Sequence, residues 1–328
     1  MKAWVVHELG GPDSMHFEDV DTGEPADGLV RINVRATGIN FFDSLMVAGQ
    51  YQSRPPLPFV PGAEISGEVV SAPPDSGFDA GEHVMALVDN TTLTRGAYAQ
   101  VADAVPQSVT RIPKDMPFED GAAFTLIYQT GWFGLHRRAN LQAGETLLVH
   151  AGAGGVGSGA IQLGKAAGAR VIATAGSDEK LDVCRKLGAD HAINYKTHDF
   201  AEEVKSITGG RGADVIFDPI GGDVYDRSTK CIAFEGRIIV VGFTSGRIPS
   251  AALNHALIKN YSIVGLHWGL YARRAPELIA PAMQDLLKMY EEGRIKPYIS
   301  KKLPLAEAPQ GLTLVGGGKS TGKVVLVP

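Results

Sequence analysis

The sequence has little cysteine, no long hydrophobic segment and no excess of basic residues. Only Cys184 and Cys231 occur among 328 residues, which argues against a disulfide framework and favours a reducing compartment. No stretch of about 18 apolar residues indicates a membrane span, and the first residues lack the hydrophobic segment of a signal peptide. The net charge of -5 argues against a nucleic-acid surface. We therefore predict a cytoplasmic protein without a membrane or nucleic-acid partner.

The length and the pattern of apolar segments predict two domains. A small β-barrel is expected from short strands between glycine and proline clusters, at residues 29–34, 65–70, 83–88 and 98–101. After Gly144 the pattern changes to apolar strands at residues 146–150, 170–174, 189–194, 214–218, 237–241 and 262–265. Because helix-like segments separate these strands, they predict βαβ units and a parallel sheet. A helix at 276–290 and a closing strand at 323–327, which returns to the first domain, complete the chain.

A glycine-rich loop at residues 152–157 is the strongest local motif. Its sequence, Gly152-Ala153-Gly154-Gly155-Val156-Gly157, matches G-x-G-x-x-G, and it lies between a predicted strand and a predicted helix. Glycine is needed here because a tight turn brings backbone N–H groups close to a pyrophosphate at the positive end of a helix. Glycines that only let the helix and strand pack closely are the alternative. The context favours a dinucleotide-binding unit.

No acidic residue stands at the end of the second strand of this unit. NAD-binding versions carry Asp or Glu there, which hydrogen-bonds the ribose hydroxyls, whereas this chain has Ala175-Gly176-Ser177. An acid would repel a 2′-phosphate, so its absence favours NADPH over NADH. Ser177 offers a hydroxyl and a helix N-cap. Lys180 offers a cation, with a solvated surface lysine as the alternative.

A series of motifs in order along the chain resembles the zinc-free quinone oxidoreductase branch, the zeta-crystallin-like group, of the medium-chain dehydrogenase/reductase family. The matching segments are residues 38–43, 49–51, 61–67, 152–157, 193–195, 218–222 and 322–326. The resemblance implies an α/β fold, with a GroES-like β-barrel catalytic domain at 1–120 and 266–328 and a Rossmann doubly wound parallel-sheet domain at 121–265. It also implies a homodimer that pairs the edge strands of two sheets. Met46 departs from the pattern, because many relatives carry a basic residue there.

The resemblance further implies that the protein binds no metal. Zinc-containing relatives carry Cys where Asn40 stands, His where Ala63 stands and another Cys near Leu126, and catalytic zinc needs three such ligands. No cysteine precedes Cys184. A zinc alcohol dehydrogenase is therefore excluded by the number of available ligands.

Asn40 and Tyr51 are the residues that the resemblance assigns to acceptor binding or oxygen polarisation, with a proton from Tyr51 or solvent. A turn in which Asn40 and Asp43 bond to the backbone is the alternative. For Phe243 the alternative to a cofactor contact is a core position, and for Lys323 it is a surface position. From the motif and the resemblance together, the residues expected to bind NADPH are Thr130, Gly152, Gly154, Gly155, Val156, Gly157, Gly176, Ser177, Lys180, Tyr195, Phe243, Thr244 and Lys323.

Three functions remain open. Hydride transfer from NADPH to a quinone is the leading hypothesis, because quinones are electrophilic and need little Lewis-acid help. The same geometry suits reduction of an enone, alkenal or enoyl-thioester double bond. The third function is a non-catalytic NADPH-binding structural or RNA-associated protein, and the acidic charge balance argues against RNA binding.

Overall fold

Fifteen β-strands and eleven α-helices form over the residues that the computed structural model describes, 1–25, 27–89 and 95–328. The strands are β1 Lys2–Val6, β2 Met15–Asp19, β3 Val30–Ile39, β4 Glu64–Ser71, β5 His83–Leu87, β6 Val101–Ala104, β7 Val109–Arg111, β8 Thr146–Val149, β9 Arg170–Ala175, β10 His191–Asn194, β11 Ala213–Asp218, β12 Ile232–Val240, β13 Ser262–Gly265, β14 Ile299–Pro304 and β15 Lys323–Val327. The helices are α1 Phe41–Val47, α2 Phe118–Ala122, α3 Thr125–Trp132, α4 Gly155–Ala166, α5 Asp178–Lys186, α6 Phe200–Ile207, α7 Gly222–Ser228, α8 Leu253–Lys259, α9 Trp268–Arg274, α10 Ile279–Glu291 and α11 Ala308–Gly316. None of the helices in these described ranges is long and apolar enough to cross a membrane.

The first unit combines both ends of the chain, Met1–Thr125 and Pro297–Pro328. Its main sheet has the order β14-β15-β3-β4-β5-β7, and β6 also pairs with β3. Neighbouring strands are antiparallel except β14 and β15. The closing strand β15 pairs with β3 so that Val324 lies opposite Ile39. This pairing confirms that the end of the chain returns to the first domain.

The second unit, Leu126–Lys296, is built on a six-stranded parallel sheet of order β10-β9-β8-β11-β12-β13. Every residue of β8 and β11 is buried, which explains the apolar segments 147–149 and 215–217 within them. The strand order reverses at β8, which lies between β9 and β11. Open α/β sheets bind ligands at this switch point, outside the carboxyl ends of the strands. The predicted fold class is confirmed.

The second boundary between the units differs from the predicted one at residue 266. Residues 266–296 belong to the second unit. Within it, Gln129 accepts a hydrogen bond from Trp268 Nε1 over 3.0 Å and donates to Ile279 O over 3.3 Å. Near its end, Lys296 N donates to Gln162 Oε1 over 2.7 Å. Helical periodicity predicted α10, but these tertiary contacts decide the unit to which it belongs.

Candidate active site

Asn40 and Asp43 form the N-terminus of α1 in the first unit. Asn40 caps the helix, and its backbone N donates to Asp43 Oδ2 over 2.8 Å. Asp43 is fully buried, and Tyr98 Oη donates to the same carboxyl oxygen over 3.0 Å. The predicted alternative, a turn in which Asn40 and Asp43 bond to the backbone, therefore describes both residues, since Asn40 Nδ2 also donates to Gly38 O over 3.3 Å.

The carboxyl group of Asp43 ionises near neutral pH. Burial raises its pKa to about 7, and hydrogen bonds from Asn40 N and Tyr98 Oη and the charge of Lys323 oppose the shift. In the part of the chain that the structure describes, nothing hydrogen-bonds to Asp43 Oδ1. An isolated carboxylate oxygen is costly to bury, so the protonated form is favoured below pH 7.

Lys323 is buried against Asn40. Its exposure is 2%, and Nζ donates to Asn40 Oδ1 over 2.6 Å and to Glu64 Oε2 over 2.8 Å. The surface alternative for Lys323 is therefore wrong. These contacts also give no support to the predicted contact of Lys323 with the cofactor, which remains untested.

Glu64 is a member of this cluster that sequence reasoning did not assign. It is fully buried at the start of β4, and Asn40 Nδ2 lies 3.3 Å from its Oε2 atom. The available signal was strand pairing, because β3 and β4 place Gly38 opposite Glu64, two residues before Asn40. A carboxylate in a buried strand needs a cation or hydrogen-bond donors beside it, which Lys323 and Asn40 supply here.

Tyr51 is half-buried, and its ring centroid lies 5.6 Å from that of Phe42. Burial, followed by the negative charge of Asp43, raises the pKa of the Tyr51 phenol, and a hydrogen bond with Gln52 lowers it. The phenol therefore stays protonated at neutral pH. It can donate a hydrogen bond or a proton to an oxygen that gains charge.

The glycine loop of the second unit connects β8 to α4, and its glycines differ in how closely they are packed. A Cβ on Gly157 would lie 2.2 Å from Ala151 O, and one on Gly152 would lie 2.9 Å from Ala173 Cβ. These two glycines are required for close packing. At Gly154, which caps α4, the nearest atom to a Cβ is Ala151 O at 3.2 Å. The packing around Gly154 therefore leaves more room for a Cβ than the packing around Gly152 or Gly157.

The first turn of α4 offers the backbone donors that the motif predicts. The helix begins at Gly155, followed by Val156 and Gly157. The first N–H groups of an α-helix have no acceptor within the helix. They lie at its positive end, which suits a pyrophosphate.

The end of β9 carries the polar groups predicted for a 2′-phosphate. Ser177 caps α5 and accepts from Lys180 N over 3.4 Å, which confirms the predicted N-cap. Tyr195 borders Gly176, since a Cβ there would lie 2.7 Å from Tyr195 Oη and 3.3 Å from Lys196 Cε. Burial and then the positive charge of Lys196 lower the pKa of Lys180.

Lys196 is a second cation in this group that sequence reasoning missed. It follows Tyr195 directly, just after β10, and the pairing of β10 with β9 places Asn194 opposite Ala175. The carboxyl ends of adjacent parallel strands lie at one edge of the sheet. Residues that follow β10 were therefore candidates as good as those that follow β9.

Thr130, Phe243 and Thr244 occupy the remaining predicted cofactor positions. Thr130 is half-buried in α3, and Phe243 and Thr244 are exposed after β12. Phe243 is 39% exposed, so the core alternative for it is wrong. Thr244 N donates to Pro219 O over 3.1 Å, which joins the loops that follow β11 and β12. The structure thus brings both loops to the carboxyl edge of the sheet.

Comparisons with known proteins identify the family. Residues 26–114 match the alcohol dehydrogenase GroES-like domain, and residues 155–285 match the zinc-binding dehydrogenase family. A quinone oxidoreductase-like protein 2 homolog of Nematostella vectensis is 38% identical over 99% of this chain and 88% of its own length. The chain belongs to the quinone oxidoreductase branch of the medium-chain dehydrogenase/reductase family.

Two further members of the family extend the comparison. A 2-haloacrylate reductase of Burkholderia sp is 32% identical over 99% of this chain and 98% of its own length. The crystal structure of Escherichia coli quinone oxidoreductase complexed with NADPH has a TM-score of 0.91 and 29% identity, and the match covers 100% of both chains. The family is thus shared by reductases with different acceptors.

The cluster around Asn40 has no metal-binding arrangement. In the described ranges, no group of three His, Cys, Asp or Glu side chains could hold a metal ion. Where zinc-containing members of the family carry Cys, the Asn40 side chain accepts a hydrogen bond from the Lys323 ammonium.

Proposed function

We propose that this protein is a reductase that transfers a hydride from NADPH to a quinone. The grouping of Ser177, Lys180, Tyr195 and Lys196 at the carboxyl ends of β9 and β10 carries the proposal, because two lysines and two hydroxyls around Gly176 match a phosphate dianion. A dinucleotide bound along this edge would place its pyrophosphate at the first turn of α4. The NADPH complex of the Escherichia coli relative supports the same cofactor.

The residues of the first unit are proposed to act on the acceptor. NADPH, when bound, would supply a hydride and leave as NADP⁺, and the quinone would take up that hydride and one further proton to become a hydroquinone. Tyr51 donates a hydrogen bond to the oxygen that collects charge, and either its phenol or solvent delivers the proton. Asn40 supplies a second polar group at α1.

Reduction of an activated double bond is the second candidate function. The 2-haloacrylate reductase relative, which matches nearly the whole chain, favours it. In that reaction the hydride adds to carbon while the conjugated carbonyl oxygen collects charge. The same donors would serve the enone, the alkenal and the enoyl-thioester.

The first experiment compares acceptors. Protein treated with EDTA is mixed with NADPH, or in parallel with NADH, and an ortho-quinone, a 2-alkenal or an enoyl-CoA, and loss of the reduced nicotinamide absorbance is followed. We expect oxidation of NADPH with the quinone, and slower oxidation of NADH because it lacks the 2′-phosphate. Activity only with the alkenal or thioester would establish the second candidate. An NADH dissociation constant equal to or below that of NADPH would contradict the proposed cofactor site.

Tyr51→Phe tests the proton donor. Loss of the phenolic hydroxyl should lower kcat by about 100-fold, as is typical when a general acid is removed, and leave the NADPH dissociation constant unchanged. Tyr290→Phe, which removes a half-buried hydroxyl from α10, is the matched control. Unchanged kcat in Tyr51→Phe would remove Tyr51 from the mechanism.

The protein is also proposed to be a cytoplasmic homodimer. The edge strand β13 has only one neighbour among the described strands, and its residues are mostly exposed. Apolar side chains at Ile248, Leu253, Leu257 and Ile258 are between 71% and 77% exposed in the same unit. A second copy of this edge would cover them by pairing strand with strand. The buried free thiols of Cys184 and Cys231 are consistent with a reducing compartment.

A further inference from the structure

The buried ion pair beside Asn40 has a feature that a purely structural pair does not need. Lys323 is held by Glu64, yet its shortest hydrogen bond, 2.6 Å, goes to Asn40 Oδ1. Both members of the ion pair are buried, at 2% and 0% exposure. A buried ammonium is costly unless its donors are satisfied. Here one of the ammonium's hydrogen bonds goes to Asn40, the residue that is proposed to bind the acceptor.

The contacts of Asn40 fix which way its amide points. Because Lys323 can only donate, the atom that faces it must be the Asn40 oxygen. The Asn40 nitrogen consequently lies on the other side, 3.3 Å from Glu64 Oε2 and 3.3 Å from Gly38 O. Both distances are at the long end for N–H···O bonds. The N–H groups are thus held in one orientation by weak partners.

The same ammonium also changes the strength of the amide as a donor. A cation that bonds to a carbonyl oxygen draws electron density from the amide nitrogen, so that its N–H groups become more positive. Such cooperative polarisation is greatest where the effective dielectric constant is low. Asn40 is 9% exposed, so its amide lies in surroundings that are largely shielded from water.

We propose that Lys323 and Glu64 are positioning residues, which hold and polarise the Asn40 amide so that its N–H donates to the acceptor oxygen. This inference rests on the function proposed above. Lys323 supplies the polarising charge, and Glu64 anchors the ammonium and balances its charge. The arrangement strengthens a hydrogen bond most when charge collects on the oxygen, and it therefore raises kcat more than it tightens acceptor binding.

The proposal predicts a dependence on the acceptor. Quinones are strongly electrophilic, whereas an enone or alkenal needs more help from a donor at its oxygen. Loss of the polarising charge should therefore reduce the rate with an enone more than the rate with a quinone. A lysine that only supports the fold would reduce both rates equally.

The test uses Lys323→Met and the double variant Lys323→Met/Glu64→Gln. The single variant leaves Glu64 without its cation and can unfold, whereas the double variant removes both charges and is expected to fold. In the double variant, kcat should fall by about 10-fold with the quinone, below the loss for removing a direct oxyanion donor, and by more with the enone. The NADPH dissociation constant, measured by fluorescence titration, should stay unchanged. Lys302→Met, which removes an exposed lysine that pairs with Glu119 in the same unit, is the matched control.

Three results of the kinetic and binding measurements would overturn the proposal. Wild-type kcat in the double variant would make the pair purely structural. A raised NADPH dissociation constant would return Lys323 to the cofactor site. Equal losses with quinone and enone would rule out polarisation.

The NMR signal of the Asn40 side-chain amide gives a test that does not depend on turnover. This signal should move upfield in the double variant, and an unmoved signal would also contradict the proposal. Wild-type protein that oxidises no NADPH with any acceptor would reject the proposed function, and the NMR comparison would still decide the polarisation.

Discussion

At the scale of single residues, Asp43 makes the stability of the protein depend on pH. Its pKa of about 7 in the folded chain lies above the value near 4 of an exposed aspartic acid. The folded state therefore binds more protons than the unfolded state between these two pH values. The contribution of this residue to stability is greatest below about pH 4, and it is lost as pH rises towards 7, by about 1.4 kcal/mol per pH unit.

Asp43→Asn should remove this dependence. The asparagine oxygen can accept the hydrogen bonds from Asn40 N and Tyr98 Oη, and the amide nitrogen would replace Oδ1 without becoming charged. Between about pH 5 and pH 8, wild-type protein should lose about 2–4 kcal/mol of unfolding free energy relative to the variant. Urea denaturation at the two pH values measures the difference. Parallel pH profiles would show that the hydrogen bonds from Asn40 N and Tyr98 Oη, with the charge of Lys323, hold the carboxyl ionised throughout.

The cluster around Asn40 also shows why the site was only partly predictable. Asn40, Glu64 and Lys323 belong to three separate motifs, and nothing in their spacing pairs them. The closing strand was predicted, but only its register with β3, which places Val324 opposite Ile39, brings Lys323 beside Asn40. Composition favours a surface position for a lysine near a strand end. Tertiary pairing overrides that preference here.

At the scale of elements, the glycine loop was predicted in its entirety because strand, loop and helix are continuous in sequence. The sequence could not show which glycines are needed for close packing and which for contact with a pyrophosphate. At position 157, Ala151 O leaves no room for a side chain, so only glycine fits. At position 154, the backbone has φ -82° and ψ 178°, which residues other than glycine also adopt. The packing alternative is therefore correct for Gly157, and contact with the pyrophosphate stays a prediction for Gly154.

Alanine at Gly157 should lower the stability of the protein, whereas alanine at Gly154 should weaken NADPH binding. Gly157→Ala forces a Cβ to within 2.2 Å of a backbone oxygen and should destabilise the protein by about 1–3 kcal/mol. Gly154→Ala should unfold near the wild-type temperature but weaken NADPH binding by about 10-fold, because a methyl group blocks close approach to the backbone N–H groups. Thermal unfolding and fluorescence titration of the two variants make the comparison. Wild-type NADPH affinity in Gly154→Ala would place the pyrophosphate elsewhere.

At the scale of the whole molecule, the two-part architecture was readable from the change of pattern near Gly144. The alternation of buried strands and helices specified a parallel sheet, which the structure has in the order of a doubly wound fold. The assignment of residues 266–296 was not readable, because it depends on single contacts such as Trp268 with Gln129 and Lys296 with Gln162. Periodicity shows that a segment is helical and not where it packs.

The proposed homodimer is a property of the molecule that the exposed edge of the second unit makes testable. Leu257 is 77% exposed on α8, and β13 forms the edge of the sheet. Placing a charge within a covered apolar surface costs several kcal/mol unless it finds a partner, so Leu257→Asp should convert the dimer to a monomer at micromolar concentration. Val105→Asp, at a residue that is 40% exposed in the first unit, should leave the dimer intact. Sedimentation velocity distinguishes these outcomes, and a wild-type protein that sediments only as a monomer would contradict pairing through β13.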